Sequence, residues 1–263
     1  MTTLDFKKYK NANKAISMVT CYDSWSAAII DESDIDCILV GDSLAMTMHG
    51  YDSTLPADPE LMALHTAAVR RAAPSVFIVS DMPFLSFRKG LLPAMEAVET
   101  IMRSGANAVK LEGYTGHGDI IRHIVDSGVP VMGHIGLTPQ SVHQLGGYKV
   151  QGKTDEKARK LMEDAVALEE AGCFSVVLEC VPASIGTDIS HKLTIPTIGI
   201  GAGNGCDGQV LVLQDMLGLN NKFQPKFVRT FMKGFETIKN ALNDYDRSVK
   251  DHSFPSEEES YKA

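Results

Sequence analysis

The feature that most constrains the fold of this chain is a succession of eight short apolar runs rich in strand-forming residues. They cover residues 16–21, 37–40, 76–80, 108–111, 129–132, 175–178, 196–200 and 209–213. Most of the longer segments between them have helical periodicity, and strands joined by helices pair in parallel. Eight such units in 263 residues favour a single closed (β/α)8 TIM barrel, which typically takes about 250 residues, over an open doubly wound sheet.

Capping and turn residues mark the boundaries of several predicted helices. Asp58 followed by Pro59 is typical of the first turn of a helix. Residues 155–171 carry apolar side chains at helical spacing. Glycines that precede three of the predicted strands indicate turns at Gly105, Gly128 and Gly172.

The end of the chain differs in composition from the rest. A last helix is predicted over residues 224–246, and from Arg247 onward the sequence turns polar. We therefore expect one barrel domain over residues 1–246 and a mobile C-terminal tail over residues 247–263.

Charge and composition argue against several classes of protein. The net charge is -8 with no polybasic block, which disfavours nucleic acid or an anionic membrane surface as a partner. No apolar stretch of about 18 residues is present to span a bilayer, and the first residues do not resemble a signal peptide. The five cysteines are scattered without a Cys-x-x-Cys pair, which indicates reduced thiols in a cytoplasmic protein rather than disulfides or a zinc site.

Polar side chains occur at the predicted exits of five consecutive strands, where the active site of a barrel lies. They are Asp42 and Ser43 after the second run, Asp81 after the third, Lys110 and Glu112 on the fourth, His134 after the fifth and Glu179 after the sixth. Ionisable groups are costly to bury unpaired. Their occurrence as a set at equivalent positions therefore favours a functional site.

Each of these residues could also have a purely structural role when taken alone. Asp42 or Asp81 would cap the helix that follows. Lys110 and Glu112 would neutralise each other in the barrel interior. His134 would be a histidine of the core, and Glu179 would form an ion pair with Lys110.

The two aspartates also indicate a type of metal. Asp42 and Asp81 follow adjacent strands, and no His or Cys cluster accompanies them. Carboxylate oxygens without softer ligands indicate a hard cation such as Mg2+.

Two other motifs are weaker. The glycine-rich segment 199–205 lacks the Gly-x-Gly-x-x-Gly spacing, so a tight turn or a close backbone approach explains it as well as a phosphate loop does. Neither Ser43 nor Thr138 lies in a Gly-x-Ser-x-Gly motif, which argues against a serine hydrolase.

Long motifs carry a resemblance to a known family. They are Val40-Gly-Asp-Ser-Leu, Gly50-Tyr-Asp-Ser-Thr-Leu-Pro, Val79-Ser-Asp-Met-Pro-Phe, Ala108-Val-Lys-Leu-Glu-Gly, Gly133-His-Ile-Gly-Leu-Thr-Pro-Gln, Leu145-Gly-Gly-Tyr-Lys-Val-Gln-Gly, Leu178-Glu-Cys-Val-Pro and Ile198-Gly-Ile-Gly-Ala-Gly. From about Thr20 to Val228 the chain resembles the 3-methyl-2-oxobutanoate (ketopantoate) hydroxymethyltransferases. It departs from them at Ala45 and Tyr114, where glycine is more common.

This resemblance implies an enzyme of pantothenate biosynthesis. Its reaction would be Mg2+-dependent one-carbon transfer from 5,10-methylenetetrahydrofolate to 3-methyl-2-oxobutanoate, giving 2-dehydropantoate through an enolate. The implied fold is a barrel of the phosphoenolpyruvate/pyruvate type, and the implied assembly is a homo-oligomer, often a decamer.

The resemblance also implies roles for the residues at the strand exits. Asp42 and Asp81 would bind the metal, with Glu112 nearby or acting through water. Ser43, Lys110 and the same two aspartates would hold the keto acid. Glu179 would abstract the proton, and His134 is a further candidate for contact with the substrate.

Two alternatives remain at this stage. The first is a carbon-carbon lyase or mutase of the phosphoenolpyruvate/pyruvate superfamily, although the chain has no Lys-Lys-Cys-Gly string. The second is a non-catalytic barrel that binds metabolites or serves as a scaffold. The complete set of strand-exit residues argues against the second alternative, because a scaffold has no use for it.

Overall fold

Eight parallel strands form a closed barrel in the order of the chain, in a computed structural model that describes residues 1–221 and 225–262. The strands are β1 (Ile16–Thr20), β2 (Cys37–Val40), β3 (Phe77–Asp81), β4 (Ala108–Glu112), β5 (Val131–Gly136), β6 (Ser175–Glu179), β7 (Thr197–Ile200) and β8 (Gly208–Leu211). The last strand pairs with the first, with Val210 opposite Met18. The predicted fold class is therefore confirmed.

Helices surround this barrel and connect most of its strands. They are α1 (Thr3–Asn11), α2 (Ser24–Asp31), α3 (Leu44–Thr47), α4 (Pro59–Ala72), α5 (Leu91–Arg103), α6 (Gly118–Asp126), α7 (Val142–Leu145), α8 (Asp155–Glu170) and α9 (Ala183–Lys192), with a 3-10 turn at Pro139–Ser141. The predicted start of α4 is confirmed, because the Asp58 side chain accepts a hydrogen bond from the Leu61 backbone N–H at 2.8 Å. All three predicted turn glycines have positive φ.

The amino-terminal helix α1, which the sequence patterns did not predict, packs against the beginning of the strands. Phe6 is fully buried. Its ring centroid lies 5.4 Å from that of Phe77 and 5.0 Å from that of Phe174. These rings belong to the apolar cluster that includes Ile16 and Cys37 at the strand starts. The polar groups at the opposite strand ends are thus separated from this end of the barrel by a packed apolar core.

The connection between β7 and β8 contains no helix in residues 201–207. It includes part of the glycine-rich segment. A Cβ on Gly203 would lie 2.5 Å from the Cβ of Ala183, and Gly203 has a φ of 82°. Close backbone approach to α9 therefore accounts for a glycine here.

The chain divides into two compact units, Met1–Val212 and Leu213–Ala263. The second contains α10 (Leu213–Met216) and α11 (Gly234–Lys250). The helix predicted over residues 224–246 is wrong in its bounds, although residue 224 itself lies outside the described residues. Residues 225–233 are not helical.

The backbone of the second unit explains where α11 begins. The Phe231 N–H donates to the carbonyl of Met216 at 2.7 Å, and the Gly234 N–H donates to the carbonyl of Leu217 at 2.9 Å. The first of these hydrogen bonds fixes the segment before Gly234 in a non-helical conformation. The helix then continues to Lys250, so it includes the first four residues of the predicted tail. No helix in the described part of the chain is both long and apolar enough to cross a membrane.

Candidate active site

The carboxyl ends of β2 to β6 bring the predicted side chains into one network. Five of them are almost fully buried, with 2–4% exposure: Asp42, Asp81, Lys110, Glu112 and His134. The side chain of Glu179 is 18% exposed, and Ser43 is half-buried. Polar groups buried to this degree need hydrogen-bond or ion-pair partners, and most of these side chains contact one another.

An ion pair connects β3 with β4. The Lys110 ammonium lies 2.8 Å from Oδ1 of Asp81, and Oδ2 of Asp81 accepts a hydrogen bond from the Asp42 backbone N–H at 3.0 Å. Burial lowers the pKa of Lys110, but the carboxylates of Asp81, Glu112 and Asp42 outweigh it and raise the pKa above its ordinary value. Lys110 therefore carries a positive charge at neutral pH.

Gln140, which the strand-exit argument missed, connects two of the carboxyl groups. Its side-chain amide donates to Oδ2 of Asp42 at 2.8 Å and to the carbonyl of Met82 at 2.9 Å. Its backbone N–H donates to Oε2 of Glu112 at 3.1 Å. Burial and the negative charge of Asp81 raise the pKa of Asp42 to about 7. Burial and Asp42 raise the pKa of Glu112 well above its ordinary value.

His134 lies at the centre of the network. Its Nδ1 is 3.3 Å from the Lys110 ammonium and 3.6 Å from Oε1 of Glu112, and its Nε2 is 3.3 Å from Oε2 of Glu179. Burial and the charge of Lys110 lower the pKa of His134 well below its ordinary value, so the imidazole is neutral. An ammonium group only donates. The Nδ1 atom is therefore the acceptor, and the proton on Nε2 faces the side of Glu179.

Glu179 ends β6 and has a pKa suited to proton transfer near neutral pH. Burial raises this pKa to about 7, and the charge of Lys110 opposes the increase. The backbone turns sharply at the next residue, Cys180, which has a φ of 47°. Gly136 at the end of β5 packs directly against Glu179, because a Cβ on Gly136 would lie 2.2 Å from the Glu179 carbonyl oxygen. The neighbouring strand therefore fixes the position of Glu179.

Ser43 has an aromatic partner that follows β1. Its hydroxyl lies 2.8 Å from the hydroxyl of Tyr22, which is fully buried, and burial raises the pKa of Tyr22 to about 12. Tyr22 was also missed, although it directly follows the first apolar run and the exit rule applied to that strand would have found it. Gln140 had no comparable signal, because it reaches the site from the turn after β5.

The acidic residues fit a divalent cation that needs few protein ligands. Asp42 and Asp81 provide hard oxygen atoms from adjacent strands, joined by the Asp42 N–H contact described above. No three His, Cys, Asp or Glu side chains in residues 1–221 and 225–262 form a ligand cluster for one ion. A site of two carboxylates suits Mg2+, which keeps waters and substrate oxygens as its other ligands.

The fold and the site together define a (β/α)8-barrel enzyme with a charged lysine, a neutral histidine and four carboxyl groups at its carboxyl-terminal end. The chain belongs to the ketopantoate hydroxymethyltransferase family, whose model matches residues 1–257. It is therefore a transferase.

Relatives with this activity in their names cover nearly the whole chain. The 3-methyl-2-oxobutanoate hydroxymethyltransferase of Coxiella burnetii (strain Dugway 5J108-111) is 59% identical over 256 residues, which is 97% of this chain and 96% of that protein. The enzyme of the same name from Bdellovibrio bacteriovorus is 59% identical over 260 residues, which is 99% of each chain.

A solved structure has the same overall fold. 2,3-Dimethylmalate lyase, a member of the PEP mutase/isocitrate lyase superfamily, aligns with a TM-score of 0.57 over 99% of this chain and 90% of its own. The two sequences are only 13% identical. The likeness therefore shows a common fold and does not extend to the reaction.

Proposed function

We propose that this enzyme transfers a hydroxymethyl group from 5,10-methylenetetrahydrofolate to 3-methyl-2-oxobutanoate, giving 2-dehydropantoate and tetrahydrofolate. The folate methylene carbon bonds to C3 of the keto acid, and water supplies the hydroxyl group. The C3 proton and the remaining water proton end on the two folate nitrogens that release the carbon. The observation that carries the proposal is the placement of neutral His134 between charged Lys110 and Glu179. This arrangement provides a base to form an enolate and a positive charge to stabilise it.

We propose Mg2+ as the metal, held by Asp42 and Asp81, with Glu112 close by or acting through water. When bound there, Mg2+ supplies a Lewis acid that withdraws electrons from the keto group of a chelating 2-keto acid. The two buried carboxyl groups support this assignment. The raised pKa of Asp42 indicates negative charge that burial leaves poorly compensated, and a cation would compensate it.

The side chains of the chain perform the proton transfer and stabilise the oxyanion. Glu179 takes the C3 proton, because its pKa of about 7 leaves a substantial ionised fraction at neutral pH while keeping it basic. Lys110 places a permanent charge beside the oxygen on which negative charge develops. His134 donates from Nε2, and Ser43, oriented by Tyr22, donates to the substrate carboxylate.

The test of this function is proton exchange at C3 of 3-methyl-2-oxobutanoate. Enzyme, Mg2+ and keto acid without folate in deuterated buffer should lose the C3 proton signal by NMR, and a chelator should prevent the loss. Glu179→Gln should bind the keto acid but slow the exchange by roughly 100-fold or more. Asp81→Ala should lose Mg2+-dependent binding. The control Glu60→Gln changes an exposed glutamate of α4 and should behave like the unaltered enzyme.

Each outcome of this test has a clear consequence. Exchange that persists in Glu179→Gln would assign the base to another residue. Binding that survives in Asp81→Ala would remove this aspartate from the metal site. If exchange fails with and without added tetrahydrofolate, the proposed reaction is wrong.

We also propose a cytoplasmic homo-oligomer, with a decamer as the expected assembly. All five cysteines are free thiols, which supports a reducing compartment. The oligomeric state is measurable by sedimentation velocity, and a monomer at micromolar concentration would contradict this part of the proposal.

A further inference from the structure

Two histidines meet outside the network of buried acids, where the segment that follows α3 contacts α4. The Nε2 atom of His49, two residues after α3, is 2.9 Å from the Nε2 atom of His65 on α4. The two imidazole planes are nearly perpendicular, at 89°. His49 is exposed and His65 is half-buried, so the pair is open to solvent on the side of His49.

The protein fixes both the ring of His65 and its tautomer. The Nδ1 atom of His65 lies 2.5 Å from the backbone carbonyl oxygen of Tyr22, and a carbonyl oxygen only accepts. The proton of the neutral imidazole is therefore on Nδ1, and Nε2 keeps a lone pair on the side of His49. Metal-binding histidines have this same arrangement, because one ring nitrogen donates to a carbonyl or carboxylate and the other binds the ion.

His49 is also held in place. Its backbone N–H donates to the carbonyl of Leu44 at 3.3 Å, and the N–H of Tyr51 donates to the carbonyl of Ala45 at 3.0 Å, so both residues are attached to α3. The Tyr51 ring stacks on the His49 ring, with centroids 6.5 Å apart and an angle of 28° between the planes. The Nε2 atom of His49 donates to His65 in this arrangement. A change of tautomer moves that proton to Nδ1 and frees a second lone pair.

The distance between the two nitrogen atoms fits one class of metal ion. Bonds of about 2.0–2.1 Å from imidazole to a metal and a separation of 2.9 Å give an angle of about 90° at the ion. Neighbouring ligands of an octahedral or square-planar ion have this angle, and Ni2+ and Cu2+ adopt such geometries. A tetrahedral ion such as Zn2+ would need the nitrogen atoms roughly 0.4 Å further apart. Mg2+ prefers oxygen ligands, so the histidine pair is not a second site for Mg2+.

We propose that His49 and His65 form a binding site for a divalent transition-metal ion of the Ni2+ and Cu2+ type, separate from the proposed Mg2+ site. Imidazole nitrogens bind these ions well, and water fills the remaining coordination positions on the exposed side. The ion takes the place of the proton between the two Nε2 atoms. It therefore cross-links the segment between α3 and α4, residues 48–58, to α4.

Calorimetric titration with Ni2+ in a buffer that contains Mg2+ tests the site. His49→Gln is the informative variant, because a glutamine amide can still donate to Nε2 of His65 but leaves only one imidazole for the ion. Ni2+ binding should weaken at least about tenfold, the lower end of the loss caused by removing an outer-shell partner. His65→Gln should weaken it as much. The matched control His191→Gln replaces an exposed histidine of α9 and should bind Ni2+ like the unaltered protein.

Backbone hydrogen exchange distinguishes a metal cross-link from a simple hydrogen bond. Ni2+ should slow exchange in residues 48–58 of the unaltered protein. It should also raise the unfolding temperature, because a ligand that binds only the native state stabilises it. Neither effect should occur in His49→Gln. Thermal unfolding without metal verifies that each variant folds.

Three results would overturn the proposal. If the unaltered protein binds Ni2+ no better than His49→Gln and His65→Gln do, the two histidines form only a hydrogen bond. Equal weakening in His191→Gln would show that Ni2+ binds surface histidines without preference. Binding that both variants of the pair keep and Asp81→Ala loses would assign the ion to the buried acids.

Discussion

Three buried carboxyl groups hold protons in a pH range where ordinary carboxyl groups are ionised. Burial raises the pKa values of Asp42 and Glu179 to about 7, and it raises that of Glu112 well above the usual range. The ionised forms of these carboxyl groups are better solvated in the unfolded chain than in the protein interior. Burying them together therefore lowers the free energy of unfolding. Such losses are typical of functional sites, where stability is given up for activity.

Glu179→Gln should increase the stability of the metal-free enzyme at high pH. An unfolded glutamate ionises near pH 4.3, whereas native Glu179 keeps its proton up to about pH 7. Between these values the native state binds the extra proton, so its stability falls as pH rises. Glutamine does not ionise, so Glu179→Gln avoids this loss of stability. The unfolding temperature of Glu179→Gln should therefore rise relative to that of the unaltered enzyme between about pH 4.5 and pH 8. At pH 8 the difference should be at least about 2–4 °C, the shift expected for 1 kcal/mol.

Calorimetry on Glu60→Gln gives the comparison for this measurement. Glu60 is exposed, so its replacement should leave the pH dependence unchanged. Two neighbours face Glu179: Lys110, whose charge lowers the pKa of Glu179, and His134, whose Nε2 lies 3.3 Å from Oε2 of Glu179. If the difference in unfolding temperature between Glu179→Gln and the unaltered enzyme shrinks with rising pH, these neighbours stabilise the ionised Glu179 more than burial destabilises it.

Gln140→Leu should shift metal and keto-acid binding to higher pH. The hydrogen bond from Gln140 lowers the pKa of Asp42, so its loss raises that pKa, and more of Asp42 stays protonated at neutral pH. Binding at pH 7 should weaken roughly tenfold or more, as on loss of an outer-shell partner, and should recover near pH 9. Titration of Mg2+ with keto acid across this range measures the effect.

Gln144→Leu is the matched control, because Gln144 is an exposed glutamine on α7 that donates to none of the acids in the described part of the chain. Its keto-acid binding should follow the pH profile of the unaltered enzyme. If Gln140→Leu binds Mg2+ and keto acid more weakly by the same factor at every pH, then Gln140 shapes the site but does not change the pKa of Asp42.

The expectation that active-site residues lie at the carboxyl ends of the strands predicted the charged residues of the site, because each of them lies on a strand or just after one. Lys110 and Glu112 lie two residues apart on β4, so the sequence alone places them on one face. Gln140 escapes this rule, since the turn at Pro139–Ser141 folds back over the strand ends. The direction in which a loop folds depends on contacts between distant residues, here with Asp42 and Met82, which periodicity does not encode.

At the level of elements, the contact between β5 and β6 sets the position of the proposed base. Gly136→Ala should destabilise the fold and reduce C3 exchange, because its φ is 96° and the new Cβ would meet the Glu179 carbonyl oxygen at 2.2 Å. The strain should cost about 1–3 kcal/mol. Relief of the clash must move the end of β6, so exchange should fall at least about tenfold.

Gly128→Ala separates these two effects. Gly128 has a φ of 87° with no atom within 4 Å of an added Cβ, so this variant carries the conformational strain without the clash. We expect it to lose stability but keep C3 exchange, as measured by thermal unfolding and NMR. Equal loss of exchange in both variants would show that global destabilisation, rather than displacement of Glu179, lowers activity.

The strands were predictable because runs such as 37–40 are apolar and β-branched, and this pattern alone indicates a buried parallel strand. The pattern was less informative for β5, which continues to Gly136. Its last four residues, 133–136, include His134 and two glycines, so pairing with the neighbouring strands rather than apolar character extends the strand. The same limit applies to α11, whose start is fixed by backbone contacts with α10 and the residue after it.

At the scale of the whole molecule, the closed barrel converts separate strand ends into one site. The acids repel each other in the metal-free protein, so Mg2+ with keto acid should stabilise the native state strongly. At about 100 times the dissociation constant, ligand binding contributes roughly 2.7 kcal/mol. For a chain of this length that predicts an increase in unfolding temperature of about 5–10 °C, lost when a chelator is added.

Asp81→Asn provides the critical comparison for this last prediction. It keeps the shape of the side chain but removes the charge that pairs with Lys110 and the oxygen proposed to hold the metal. Its unfolding temperature should no longer respond to Mg2+ with keto acid, because the native state gains nothing from a ligand it does not bind. Sodium with keto acid should have no effect on either protein. A full increase in Asp81→Asn would place the cation elsewhere in the barrel and would contradict the two-carboxylate site.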